Sequence, residues 1–294
     1  MAFGHYVKKG SVKTIWTNCG QNSIYPEKSE IILNIKENKA DRTMLTVKGL
    51  VIRERQSGDN DKILSVLTDT NGLVEVCAKG VKKANAKNAA ISQTFAYSTL
   101  SLTEGRNYYI LNSGEPIRLF YNVRLDMGRF ALASYFCEMI LFTCVKNQPN
   151  YEVLRLMLNT LHFLEDGKRS EAMLKSIFEL RLLSEIGLVP NLIGCCKCYK
   201  YEADQMQFDL SEGRLYCENC CGARDLSVCE IVDMTLLHAI RYIALSDMSK
   251  IFSFKISDEY MPYLANITER YARIQLDKRF STLDFYKSIT NNGK

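Results

Sequence analysis

Residues Met44 to Lys83 read MLTVKGLVIRERQSGDNDKILSVLTDTNGLVEVCAKGVKK, and this stretch decides the character of the first folded region. It is rich in β-branched residues and is broken at Ser57-Gly58-Asp59 and at Asn71-Gly72. Strand-like runs on either side of an Asn-Gly pair predict a hairpin, because that pair accepts the positive φ that tight hairpin turns require. Two further strand-like runs follow, FAYSTLSLT (Phe95 to Thr103) and NYYILNSGEPIRLF (Asn107 to Phe120), with Glu104-Gly105-Arg106 between them. Five short strands in roughly seventy residues predict a small closed barrel of the OB-fold type over residues 44–122. Upstream, residues 1–43 hold the single tryptophan, Trp16, in a polar setting without sustained periodicity. They are read as an extension with no assigned function.

Beyond Asn122 the period changes. RLDMGRFALASYFCEMILFTCVKN, YEVLRLMLNTLHFLED and SEAMLKSIFELRLLSEIG carry apolar residues at helical spacing and end near Gly, Asn or Pro signals. LSVCEIVDMTLLHAIRYIAL and DEYMPYLANITERYARIQLDKRF also read as helical, with Pro262 in a first turn. The most apolar run, Phe130 to Val145, is interrupted by Glu138 and falls short of the roughly 20 residues needed to span a bilayer, so it reads as a buried helix. The expected architecture is α+β: an N-terminal five-stranded barrel, then a helical bundle over 123–294 with a cysteine module, 193–223, inserted in it.

That module is CCKCYKYEADQMQFDLSEGRLYCENCC, Cys195 to Cys221, which holds six of the eleven cysteines. Cys195-x-x-Cys198 and Cys217-x-x-Cys220 have the spacing of paired metal knuckles, and four thiolates at about 2.3 Å satisfy the tetrahedral preference of zinc. Met206, Phe208 and Leu210 alternate, Ser211-Glu212-Gly213 reads as a turn, and Leu215-Tyr216 resumes, so a hairpin is expected to return the second knuckle to the first. Disulfides or buried free thiols are the competing readings. Cys196 and Cys221 leave a shift of ligand open, although Cys196-x-Cys198 is short for a knuckle. The expected cofactor is one structural Zn2+. A catalytic zinc normally combines histidine or carboxylate ligands with an open position, and the nearest histidine in sequence is His238.

The formal charge of +5 is a mild basic excess that permits a polyanionic partner without requiring one. Residues 1–30 lack an apolar core followed by a small-residue cleavage site, so the expectation is a cytoplasmic chain with reduced cysteines and no membrane association. No nucleophile motif, phosphate-cradling glycine loop or metalloprotease histidine pair is present, and no catalytic residue is assigned. His162 and His238 fall in apolar helical runs and are expected as hydrogen-bonded core or boundary residues.

Local charge is more informative. Lys79, Lys82, Lys83 and Lys87 lie in an acid-free run between Val76 and Thr103, and KGVKKANAK reads as a mobile basic loop leaving the third strand. An ordinary solvated loop is the alternative. Loop lysines neutralise phosphates without reading sequence, and small barrels commonly bind single strands through strand faces and loops. Arg53 and Arg55 would extend the charge, and Tyr97, Arg106, Tyr108 and Tyr109 would add charge and stacking surface. Alternation allows only one of Tyr108 and Tyr109 to face outward. If this loop is not the DNA surface, the expected path runs along Arg270, Arg273, Lys278 and Arg279.

The order of parts resembles the bacterial RecO recombination-mediator family. The resemblance covers Met44 to about Tyr286. It rests on MLTVKGLVIRERQSGDNDKILSVLTDTNG, on CAKGVKK, on RLDMGRFALASYFCEMI, and on FELRLLSEIGLVPNL running directly into CCKCY. LDKRFSTLDFYKSI is similar to the family's last helix and tail, less closely. Members start near Met44, so residues 1–43 are expected to reflect an upstream start codon or a vector-derived segment. The resemblance implies a non-enzymatic DNA repair and recombination role: binding single- and double-stranded DNA, annealing complementary strands, and assisting exchange of single-strand-binding protein for RecA together with RecR. It implies a nucleoid-associated location, RecR binding through the barrel, and docking of the tail of single-strand-binding protein on the bundle. Such a tail calls for an apolar groove rimmed by cations that pair with a terminal carboxylate, for which Arg129, Lys175 and Arg181 are the candidates. The alternatives are a zinc-containing nucleic-acid-processing enzyme, such as a nuclease or modification enzyme, and a zinc-containing transcription or scaffold protein. The first would need clustered carboxylates or a nucleotide fold, the second a markedly basic recognition helix.

Overall fold

The computed structural model describes residues 43–222 and 227–291, so the extension expected over residues 1–43 lies, apart from Thr43, outside the described residues. The first five strands are β1 (Met44–Ser57), β2 (Asp61–Thr68), β3 (Gly72–Ala78), β4 (Tyr97–Thr103) and β5 (Tyr109–Arg118). They close into a barrel in the order β1-β2-β3-β5-β4, antiparallel except for a short parallel seam in which Val76 faces Tyr109 and Cys77 faces Ile110. The Asn-Gly hairpin forms between β2 and β3, with Gly72 at φ +63°. A Cβ at Gly72 would lie 1.9 Å from the Gln148 carbonyl oxygen, so the turn needs glycine for its backbone and for the close approach of the chain beyond it.

β1 is two-faced. Val47 and Val51 fill the barrel with Leu64, Val66, Val74, Val76, Leu100 and Leu102. Leu50 and Ile52 instead join the core of the helical region, which is why KGLVI shows no clean alternation. A register shift between Val51 and Arg53 marks a bulge, after which the strand becomes exposed.

The helices are α1 (Tyr121–Leu125), α2 (Met127–Thr143), α3 (Tyr151–Asp166), α4 (Glu171–Glu185), α5 (Met234–Leu245), α6 (Met261–Leu276) and α7 (Ser281–Asn291). Side chains of Asp126, Asn150, Ser170 and Asp233 accept from backbone N–H groups in the first turns of α2, α3, α4 and α5. Pro262 sits in the first turn of α6, as expected. α2 is buried along Ala131–Ala133, Tyr135–Cys137 and Met139–Ile140, and none of the described helices is long and apolar enough to cross a membrane.

One expected helical stretch begins differently. Cys229–Asp233 is a strand, β9, and α5 starts only at Met234. Cys229 and Val232 are buried while Ile231 is exposed, and β9 pairs with β7 (Gln205–Asp209), an exchange of backbone hydrogen bonds that local helical periodicity does not report. With β6 (Asn191–Cys195) and β8 (Arg214–Cys217) these strands form a sheet ordered β6-β8-β7-β9. The β7–β8 hairpin matches its expectation: Met206 faces Cys217, and the Asp209 carboxylate accepts from the Ser211 and Glu212 backbone N–H groups around the turn. Leu192, Met206, Phe208, Leu215 and Val232 share one apolar cluster with the helices, so the cysteine module is packed on the bundle rather than held at arm's length.

Candidate metal centre and nucleic-acid surface

Parallel pairing of β6 with β8 carries Cys195 and Cys217 to one end of the sheet, both fully buried. Each strand then turns back on itself: Tyr199 N donates to Cys195 O at 2.8 Å, and Cys220 N donates to Cys217 O at 2.9 Å. The turns bring Cys198 and Cys220 alongside, so that the sulfurs of Cys195, Cys198, Cys217 and Cys220 all lie within 4.8 Å of one another, Cys198 and Cys217 at 3.5 Å. A tetrahedral ion with bonds of about 2.3 Å would separate its sulfurs by roughly 3.8 Å, so the four positions fit such an ion closely. Cys196 and Cys221 stand outside the group, and Cys221 Sγ donates to the Glu218 carbonyl at 3.1 Å. The four cysteines are free rather than disulfide-bonded.

Desolvation pushes the Cys195 thiol up, but the backbone N–H groups of Cys198, Cys217 and Lys197 outweigh it and bring the thiol down to about 6. Donation from the Cys220 thiol to the Cys198 and Cys217 sulfurs, with the Cys195 thiolate close by, pushes Cys220 up to about 12. The Cys195 thiolate thus opposes ionisation of Cys220 beside it.

At the opposite end of the chain's charge map, the run after β3 is a series of tight turns rather than a mobile loop. Val81 is buried in the barrel core, Gly80 N donates to Asp61 Oδ1 at 2.7 Å, and Lys82 N donates to Asn60 O at 3.1 Å. These bonds seat the turns against the β1–β2 connection. Lys79, Lys82, Lys83 and Lys87 are all exposed, as are Arg53 and Arg55. The run is acid-free in sequence but not in space, since Asp61 lies beneath it and Arg55 pairs with Glu75 at 2.6 Å.

Glu75 also faces Lys146 at 3.8 Å, across a cleft of about 590 Å³ lined by Arg55, Glu75, Arg106, Tyr108, Tyr109 and Lys146. Lys146 comes from the segment after α2, where Leu73 bridges to it beside the barrel seam. No barrel-only pattern in the sequence could have found it. Tyr108 is exposed and Tyr109 packs on the barrel core, in line with alternation. Tyr97 differs from its expected stacking role: it packs against the helical core, where burial, with Asp69 and Tyr151 nearby, raises its hydroxyl above the usual range.

Arg129, Lys175 and Arg181 are each engaged by other groups of the fold. Arg129 donates to Glu165 O at 3.2 Å and lies against Gly167. Lys175 is buried between Glu179 and Glu269, 2.9 Å from each; burial pulls its ammonium down, and the two carboxylates more than reverse that. Arg181 pairs with Glu185 and donates to the carbonyls of Ala244 and Ser246. Helical spacing showed the three cations on the bundle but not the carboxylates and carbonyls that other elements bring to them. Of the cations around the α6–α7 connection, Arg270 pairs with Glu230, while Arg273, Lys278, Arg279 and Lys287 share a pocket of about 300 Å³ with Phe280, Leu283 and the carboxylates Glu269 and Asp284, which pair with Lys287 and Arg279. His162 and His238 are exposed rather than buried; His238 faces Glu202 at 3.3 Å.

Two family models match the chain in the order of these parts. Recombination protein O N terminal covers residues 43–120, the barrel, and Recombination protein O C terminal covers residues 124–284, the helices and cysteine module. The chain is 31% identical to the DNA repair protein RecO of Acetivibrio thermocellus over 83% of its own length and 97% of the relative. It is 30% identical to that of Alkaliphilus metalliredigens over 84% and 100%, and 26% identical to that of Caldicellulosiruptor saccharolyticus over 83% and 98%.

Proposed function

The chain belongs to the RecO family of recombination proteins, and from that premise we propose that it is a DNA repair and recombination mediator. It binds single- and double-stranded DNA, anneals complementary strands, and with RecR assists exchange of single-strand-binding protein for RecA. The observation that carries the reading is the match of both family models, in order, across barrel and helical region. Annealing requires neutralisation and alignment of two polyanions and no bond chemistry. The exposed lysines on the barrel turns supply the charge, and their fixed backbone places it at one end of the barrel. Double-stranded and single-stranded DNA are bound there without sequence preference.

The cysteine cluster holds one structural Zn2+ through Cys195, Cys198, Cys217 and Cys220. The ion's contribution is to neutralise the thiolates and tie β6 to β8; it takes part in no reaction. RecR is proposed to dock on the barrel. For the tail of single-strand-binding protein, the proposed dock is the pocket around Phe280 and Leu283, where Arg273 and Lys278 stand beside Arg279, itself paired with Asp284. The protein acts in the cytoplasm, at the nucleoid.

The test is strand annealing with purified protein, with and without nucleotide and magnesium. Annealing in the absence of both is expected. Dependence on magnesium with cleavage of either strand would instead support the nucleic-acid-processing enzyme.

A further inference from the structure

The first cysteine knuckle carries side chains that neither the sulfur cluster nor the apolar core uses. Tyr199 follows Cys198 directly, is 84% exposed, and has φ 61°. A bulky aromatic residue in the left-handed region is costly, and that conformation is ordinarily left to glycine. The second knuckle meets its own left-handed position with Gly222. The Tyr199 ring, 84% exposed, is not what turns the chain there, because a glycine would do so with less strain.

The surroundings of Tyr199 are mainly cationic and aromatic, with the exposed Glu202, which faces His238 at 3.3 Å, as the nearest acid along the chain. Lys197 and Lys200 flank it and are exposed, and Ile193 and Tyr201 expose 74% and 56% of their surfaces beside it. No acidic residue occurs between Pro190 and Tyr201. The backbone beneath is fixed: Cys195 N donates to Lys200 O at 2.9 Å, and a Cβ at Gly194 would sit 2.9 Å from the same oxygen. Arg241, buried on α5, donates to the carbonyls of Leu192, Ile193 and Tyr201, and its guanidinium lies 4.2 Å from the centre of the Tyr201 ring. The tip therefore presents rings and cations on a backbone that does not need to order when something binds.

We propose that this knuckle tip, Tyr199 and Tyr201 with Lys197 and Lys200, is a base-stacking platform for single-stranded DNA, separate from the basic turns of the barrel. An aromatic ring flanked by lysines matches the two parts of a single strand: unpaired bases offer π-faces, and phosphates accept the charge. A duplex cannot use the rings, since its bases are already stacked on one another. An apolar protein partner would be poorly served by two lysines at the centre of the contact. The inference rests on the mediator reading above and gives that activity a second contact, one that distinguishes an unpaired strand from a paired one.

The experiment uses the full chain with zinc bound and measures fluorescence anisotropy of a labelled oligo-dT and of a duplex of the same length across a salt series. Tyr199→Gly should weaken oligo-dT binding roughly 5- to 30-fold, the loss of one stacked base. Duplex affinity and zinc content should stay unchanged, and melting temperature unchanged or higher. Tyr199→Trp should retain single-strand binding. Lys197→Ala with Lys200→Ala should reduce the salt slope on oligo-dT by about 1.4, at roughly 0.7 per lost contact. If the two lysines serve only as counter-charges to the thiolates, that variant will lose zinc and keep its slope, which overturns their part. A 5-iodouracil-substituted oligonucleotide should crosslink to the peptide containing Tyr199. Wild-type binding of both DNAs with Tyr199→Gly indistinguishable from it and no such crosslink overturns the platform and leaves the mediator reading standing. Wild type that binds neither DNA overturns both.

Discussion

The basic turns after β3 and the first cysteine knuckle are both short loops with exposed lysines, and they are held in different ways. The turns are fixed by the barrel: one buried apolar side chain, Val81, and backbone bonds to Asp61 and Asn60 suffice, because the barrel core beneath is already complete. The knuckle is held by backbone bonds, by Arg241 and, in the proposed metal-bound form, by an ion among its sulfurs. Its four thiols lie at one end of a four-stranded sheet, within 4.8 Å of one another. A loop of the first kind should survive any loss of metal, and one of the second kind should not.

The largest effect that would break this contrast concerns the ligands. Cys195→Ser or Cys217→Ser should abolish stoichiometric zinc binding and open the module to protease between Asn191 and Asp233, since metal binding there is folding free energy. Because Leu192, Phe208, Leu215 and Val232 share the bundle core, loosening should spread to α5 and cost several kcal/mol. Cleavage mapped by mass spectrometry should spare residues 44–118; equal exposure of the barrel would erase the distinction. Next in size is the buried ion pair. Glu179→Ala leaves Lys175 buried with only Glu269 and removes the acceptor of the Tyr135 and Thr268 hydroxyls, for an expected loss of about 3–5 kcal/mol in urea unfolding, with zinc content unchanged.

A barrel change should act without touching the metal. Leu64→Ala, fully buried in the barrel, should cost about 2–5 kcal/mol while zinc content stays at wild type, and loss of zinc from this variant would show that the regions are coupled. Changing Lys79, Lys82, Lys83 and Lys87 together to alanine should leave the melting temperature near wild type and lower the slope of log affinity against log salt by about two to four units. Parallel titration lines would move the DNA path to Arg273, Lys278 and Arg279. The smallest effect is expected from Cys196→Ser and Cys221→Ser, which lie outside the sulfur cluster: unchanged metal content sharpens the four-ligand assignment, and loss of zinc from either would mean a shifted ligand set.

Much of this molecule was readable in its residues. Asn71-Gly72 marked a hairpin because few other pairs accept that turn, and the Cys-x-x-Cys spacings marked a knuckle because two intervening residues aim both sulfurs at one point. Helical periodicity located α3 to the residue, since Leu154, Met157, Leu161 and Leu164 repeat at the helix spacing. The same periodicity failed at Cys229–Asp233, where the partner that makes a strand, β7, lies some twenty residues upstream.

Sequence by itself therefore determined the barrel, most of the helices, the four-cysteine cluster and the family, because each rests on local spacing or on ordered motifs. Only the tertiary structure decided which charges are available. Lys175 reads as a bundle cation until α6 brings Glu269 against it, and Arg55 reads as part of a basic stripe until β3 brings Glu75 across. Lys146 enters the barrel-side cleft from beyond α2. A charge interacts through space with whatever folding brings within a few ångströms, and spacing along the chain does not encode those neighbours.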